Sequence, residues 1–171
     1  MTEIFVSSDN IVSPIGLTTA ENFEQLKQNI TGIKLHDDKV MSDQTFQAAL
    51  FNDENFYSDQ SKNNYTRFEK LLIASIADAL ANTAISAADK KTMLIISSTK
   101  GNISLLETEA PSDVLNKRIS LNTSAQLVAS HFQFVNTPVV ISNACISGML
   151  AILTGMRLIQ ALEIITGLFA N

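Results

Sequence analysis

Apolar residues along this chain fall into two patterns, and each change of pattern marks an element. Compact aliphatic runs read as buried strands: Ile4-Phe5-Val6 within 3–8, Met93-Leu94-Ile95-Ile96 within 92–98, and Val139-Val140-Ile141 within 139–142, the last opened by Pro138. Elsewhere the apolar positions recur at helical spacing. Phe68, Leu72, Ile76 and Ala79 form a stripe that Ile73 and Leu80 widen, opposite Arg67, Lys70, Asp78 and Asn82, with Leu71 falling among the polar residues. Phe23 and Leu26 predict a shorter helix over about 20–28, preceded by Thr19, and Leu127 and Val128 another over about 123–132. Pro111-Ser112-Asp113 offers a helix start within the polar connection 107–121. Pro14 and Gly16 mark turns in 9–16, residues 33–57 read as surface loops around a short strand near 46–51, and 58–64 is a polar linker. Strand and helix alternate, which indicates parallel strands in an α/β layer.

The stretch 146–162 departs from simple amphipathicity. Its one charge is Arg157, and Ile146, Met149, Leu150, Ile152, Leu153, Met156, Leu158, Ile159 and Leu162 point in nearly every direction around a helix. A helix without a polar face is enclosed by protein or lies in a membrane. The stretch is short for a span and carries a mid-segment arginine, so an interior helix is expected. Cys145 sits where the strand turns into this helix, on what should be its first turn. Backbone N–H groups there lack intrahelical partners and carry partial positive charge, which favours a thiolate and can cradle an oxyanion. Gly148 and Gly155 would let a backbone or an acyl chain approach one face. A lone cysteine among apolar residues is nevertheless more often a small buried hydrophobe, and the local pattern by itself favours that role. The hydrolase elbow wants glycines two residues either side of the nucleophile, where this chain has Asn143 and Ser147.

Composition narrows the picture a little. With 171 residues the chain is long enough for one domain with an ample core, and its single cysteine rules out an internal disulfide framework. Met1-Thr2-Glu3 opens no basic and apolar leader, so the cytoplasm is the default location. A net charge of −5 without a basic tract argues against nucleic acid as the main partner. Lone Gly101 lacks the spacing of a phosphate loop, and the acids at 37, 38, 43, 53 and 54 read as solvated surface rather than metal ligands. The two histidines both precede Cys145: His36 reads as a surface-loop residue near acids, His131 as a capping or packing residue at a helix end. Lys62, Arg67 and Lys70 make a local positive cluster that reads first as a solvated helix face.

Ser142-Asn143-Ala144-Cys145-Ile146-Ser147-Gly148 resembles the nucleophile segment of the β-ketoacyl-acyl-carrier-protein synthases. The opening Ile11-Val12-Ser13-Pro14-Ile15-Gly16 is similar to the Val-Ser-Pro-x-Gly signature near the start of the elongating members, fatty-acid and polyketide types included. Between them Arg67-Phe68, the helix through Ala79-Leu80, and 92–98 leading to Lys100-Gly101 fall in the family's order. The resemblance covers nearly the whole chain but only the first half or less of a synthase.

The resemblance implies an α/β fold: one thiolase-like half, with a mostly parallel sheet and a buried nucleophile helix. Residues 1–171 would be the N-terminal half of a synthase cut short. Cys145 would be the catalytic residue, taking an acyl group from the phosphopantetheine of an acyl carrier protein before decarboxylative Claisen condensation with malonyl carrier. No bound cofactor or metal is implied. The family's histidine pair follows the cysteine in the second half, so neither His36 nor His131 matches it, and this chain alone would perform at most the first transfer. A family member would also enter another strand after Gln160-Ala161, whereas 162–171 is expected to depart from that course. A half molecule would leave an apolar side of the helix uncovered and would dimerise, aggregate or await its other half. Members of the family pair as homodimers through the strand at 139–142. The alternative reading is a noncatalytic scaffold or partner subunit related to the chain-length-determining relatives, which replace the nucleophile.

Overall fold

The computed structural model of the chain describes residues 3–51, 65–161 and 166–170. Its residues gather into two units, Asp9–Asn64 and Met1–Ser8 with Tyr65–Asn171.

In the first unit Ser13 and Gly16 close a turn with reciprocal backbone hydrogen bonds of 2.8 and 3.2 Å. The buried Asn22 amide reaches the carbonyls of Ile11, Gly16 and Thr18 at 2.9, 3.0 and 2.8 Å, so one side chain organises the whole loop. Asn22 lies on helix α1, Thr19–Lys27, which starts at N-cap Thr18 with a capping box to Glu21. The irregular stretch that follows contains a hairpin. Strand β1, Ile33–His36, pairs antiparallel with β2, Phe46–Ala49, in the register Ile33↔Ala49. Only the second strand is expected from the sequence; Ile33 and Leu35, which alternate with Lys34 and His36, are both exposed, so β1 is held by pairing rather than burial. His36 accordingly sits in a strand, half-buried and stacked on Phe46 with its Nε2 3.1 Å from the Ala48 carbonyl, and not in a loop.

The second unit is built on three parallel strands: β3 Thr92–Ser97, β4 Val139–Ile141 and β5 Thr166–Ala170, in the order β4-β3-β5. Helices α2 Arg67–Ala81 and α5 Leu121–His131 contribute Leu72, Ile73 and Ile76, and Ala125, Val128 and Ala129, to a core shared with Leu94 and Ile96 of β3. Ile95 points the other way, toward helix α6, Ser147–Gln160. Helices on both faces explain why β3 reads as an unbroken apolar run. Two short helices, α3 Leu105–Thr108 and α4 Asp113–Arg118, lie between β3 and α5, and Ser112 caps α4 by accepting from the Leu115 N–H at 3.1 Å. The turn out of β3 places Gly101 at φ +51°, a left-handed conformation suited to glycine.

Two expectations are overturned here. Residues 3–8 form no strand; Phe5 and Val6 are 81 and 86% exposed, because strand propensity without a neighbouring strand to pair with does not make a sheet. After Gln160-Ala161 the chain does enter another strand, β5, which aligns Phe169 with Ile95 across the ladder. Gly155 makes this possible: a Cβ there would stand 2.2 Å from Cζ of the Phe169 ring. The space at Gly155 is thus filled from within the chain, not left for an acyl group. The polar linker 58–64, with Lys62 of the positive cluster, and residues 162–165 lie outside the described residues.

Candidate active site

Cys145 is a free thiol on an exposed turn at the carboxyl end of β4, an edge strand of the parallel sheet. Crevices at the carboxyl ends of such strands are where open α/β sheets bind ligands. The sulfur is not walled in by side chains. The turn itself is a short 3-10 helix, Ala144–Ile146, and α6 begins only at Ser147, so Cys145 precedes the α-helix instead of occupying its first turn. Two features enforce this. Ala144 adopts φ +44°, a left-handed conformation costly for a residue with a Cβ. Ser147, buried beneath the turn, accepts from the Asn143 N–H at 2.7 Å and donates to the Ala144 carbonyl at 2.9 Å, holding the bend across the cysteine. The Ile146 N–H closes the loop on the Asn143 carbonyl at 3.1 Å. Beyond it stands the amino end of a 14-residue helix with no acid in its first turn, which leaves the dipole's positive end uncompensated by side chains near the sulfur.

Helix α6 buries Ser147, Ala151 and Gly155 against the sheet, while Ile146, Met149, Ile152, Leu153 and Met156 are exposed, Met149 to 73%. Enclosure by protein, expected from the missing polar face, is met within this chain on one side only. The uncovered side begins beside Cys145.

Neither histidine joins the cysteine within its unit. His131 ends α5, before β4, whereas Cys145 follows β4, so the strand separates them. The His131 Nδ1 lies 3.3 Å from the Tyr65 hydroxyl, and its ring meets Phe132 edge-on, consistent with packing at a helix end. Of the positive cluster, Arg67 is exposed and Lys70 half-buried on α2. Among the described residues no group of three or more His, Cys, Asp or Glu is placed to hold a metal ion, and no helix is long and apolar enough to cross a membrane.

A second polar constellation escaped the sequence. Glu69, the third residue of α2, is fully buried and paired with both terminal nitrogens of Arg118. Its carboxylate also accepts from the Thr66 N–H at 3.0 Å and from the Asn102 side-chain amide at 3.0 Å, and that amide reaches the Ser124 hydroxyl at 2.9 Å and the Arg118 carbonyl at 3.2 Å. Burial alone would push the carboxyl up, but the bonds from Arg118, Thr66, Asn102 and Ser124 outweigh it and lower it to about 2. The Glu69 hydrogen bond in turn raises Arg118 above its ordinary value against the effect of burial. Thr66-x-x-Glu69 is visible as a capping box; that Asn102, Arg118 and Ser124 converge on it is not.

No family model matches the chain, and no curated protein matches it. Among solved structures it is similar to one described as "The ishigamide ketosynthase/chain length factor", with a TM-score of 0.69 and 18% identity over 90% of this chain and 48% of that chain. The chain therefore spans about half the length of that structure. At this identity the likeness speaks to the fold, which is α/β with a parallel three-stranded sheet and corresponds to one thiolase-like half.

Proposed function

We propose that this chain is the N-terminal, nucleophile-bearing half of a β-ketoacyl synthase of the fatty-acid or polyketide type, and that Cys145 is its acyl acceptor. The observation that carries the reading is an exposed thiol on a strained turn between a parallel strand and the amino end of an apolar helix. The Cys145 sulfur, as thiolate, adds to the carbonyl carbon of a thioester on the phosphopantetheine of an acyl carrier protein. The bond from that carbon to the carrier's sulfur then breaks, and the departing thiolate takes up the proton Cys145 released. Exchange between thioesters is nearly balanced in energy, and the positive end of the α6 dipole, just beyond the turn, favours the charge that develops on the carbonyl oxygen. Condensation with malonyl carrier needs a proton-handling pair that neither His36 nor His131 supplies. It belongs to a second half of the same architecture, whose natural seat is the exposed α6 face running from Ile146 to Met156.

Labelling with an electrophilic acyl-pantetheine mimic tests the reading. Cys145 should react at least tenfold faster than a free thiol, with the gain abolished in Cys145→Ser. Reaction at the free-thiol rate would refute acyl transfer. It would favour the second reading, a noncatalytic scaffold, which draws on the chain length factor named in the similar structure. Retention of the cysteine supports the catalytic one.

A further inference from the structure

Between β3 and α5 the chain leaves the body of its unit for fifteen residues, 103–117, and every one of them is exposed except half-buried Leu105 and buried Leu115. The two ends of this excursion are drawn together on one buried group. Asn102, at its start, donates to Glu69 Oε1 at 3.0 Å and to the Arg118 carbonyl at 3.2 Å, and Arg118, at its end, grips both Glu69 oxygens. Thr66 adds a bond to Asn102 Oδ1 at 2.6 Å, tying the neck to the start of α2. Helix α3 lies inside the excursion and α4 ends on the clasp residue Arg118; with four and six residues both are too short to persist alone, and Ile103, Leu106 and Val114 face solvent. A short exposed loop with a closed neck and a single buried anchor has the form of an Ω-loop. It leaves from the carboxyl end of β3, the sheet edge where Ser98 N–H still pairs with the Ile141 carbonyl at 3.2 Å, just before the Cys145 turn.

We infer that 103–117 is a strap that opens as a unit at the Cys145 edge of the sheet, with Leu115 as its latch and the Asn102–Glu69–Arg118 clasp as a hinge that stays shut. A closed neck keeps the opened segment short, so the cost of opening is the loss of Leu115 packing and of two short helices, not of the sheet. The inference rests on the neck geometry and does not require acyl transfer at Cys145.

Native-state hydrogen exchange in sub-denaturing urea tests it. In the parent chain the Glu109, Asn116 and Ile119 amides, bonded to the Leu105, Ser112 and Leu115 carbonyls, should exchange at least a hundredfold faster than β3 amides and with little urea dependence. The Lys70 amide, bonded to the Thr66 carbonyl beside the clasp, should stay with the β3 class. In Leu115→Ala, protection across 103–117 should vanish while β3 and Lys70 keep theirs, and trypsin should cut first after Lys117. Strap amides that share the rate and urea slope of β3 in the parent would overturn the inference, as would a Leu115→Ala chain in which β3 and Lys70 lose protection together with the strap.

Discussion

Replacing Glu69 by glutamine removes one charge from a fully buried position and takes from the Arg118 guanidinium, itself only 19% exposed, the carboxylate it is bonded to. The structure gives the cost by two routes. The Glu69 carboxyl is lowered from 4.5 to about 2, and that difference corresponds to about 3 kcal/mol of folding free energy at neutral pH. Breaking a buried pair by removing one partner costs about 3–5 kcal/mol, and the guanidinium's partial access to water places Glu69→Gln near the lower figure, again about 3 kcal/mol. The sign with pH follows from the direction of the shift. Because the folded value lies below the unfolded one, the contribution is complete above about 4.5 and is lost as pH falls from there toward 2. Urea denaturation followed by far-UV circular dichroism, at neutral pH and at steps down to pH 2.5, measures both. The parent should lose stability steeply below pH 4.5, and Glu69→Gln should start lower and show a shallower acid slope. A Glu69→Leu, Arg118→Met double variant should recover only part of the loss: no charge is then stranded, but the Thr66 N–H, the buried Asn102 amide and the Ser124 hydroxyl lose their acceptor. A Glu69→Gln cost below about 1 kcal/mol, the value of an exposed ion pair, or an acid slope equal to the parent's, would refute the reasoning.

Other consequences are open to direct measurement. Ser147→Ala removes both bonds across the cysteine turn, so it should cost about 1–2 kcal/mol in urea unfolding and slow acyl-mimic labelling of Cys145. Gly155→Ala drives a methyl into the Phe169 ring and should cost about 1–3 kcal/mol, partly relieved in the double variant with Phe169→Ala. Met149→Lys with Met156→Lys places charges on the exposed α6 face. Analytical ultracentrifugation should find less self-association than in the parent, with an unchanged urea midpoint because neither side chain is part of the core.

Where burial and local chemistry agree along the chain, the elements can be read directly. The stripe from Phe68 to Ala79 becomes α2 and the aliphatic run at 92–97 becomes β3, since each carries its periodicity and its boundary signals within itself. The cysteine's place at a strand-to-helix turn is likewise written in the change from Val139-Val140-Ile141 to the small residues after it. What pairing decides is not written there. Ile4-Phe5-Val6 has strand composition and stays single, while Ile33–His36 buries neither of its apolar side chains and pairs, because a ladder depends on whether a partner strand arrives and not on one strand's own composition. Phe169 finds its seat on Gly155 for the same reason. Glu69 is the clearest case: by itself it looks like an ordinary capping glutamate, and only the arrival of Asn102, Ser124 and Arg118 from three other elements makes its burial possible. A charge can leave water only where partners replace its hydration, and those partners are assembled by the fold.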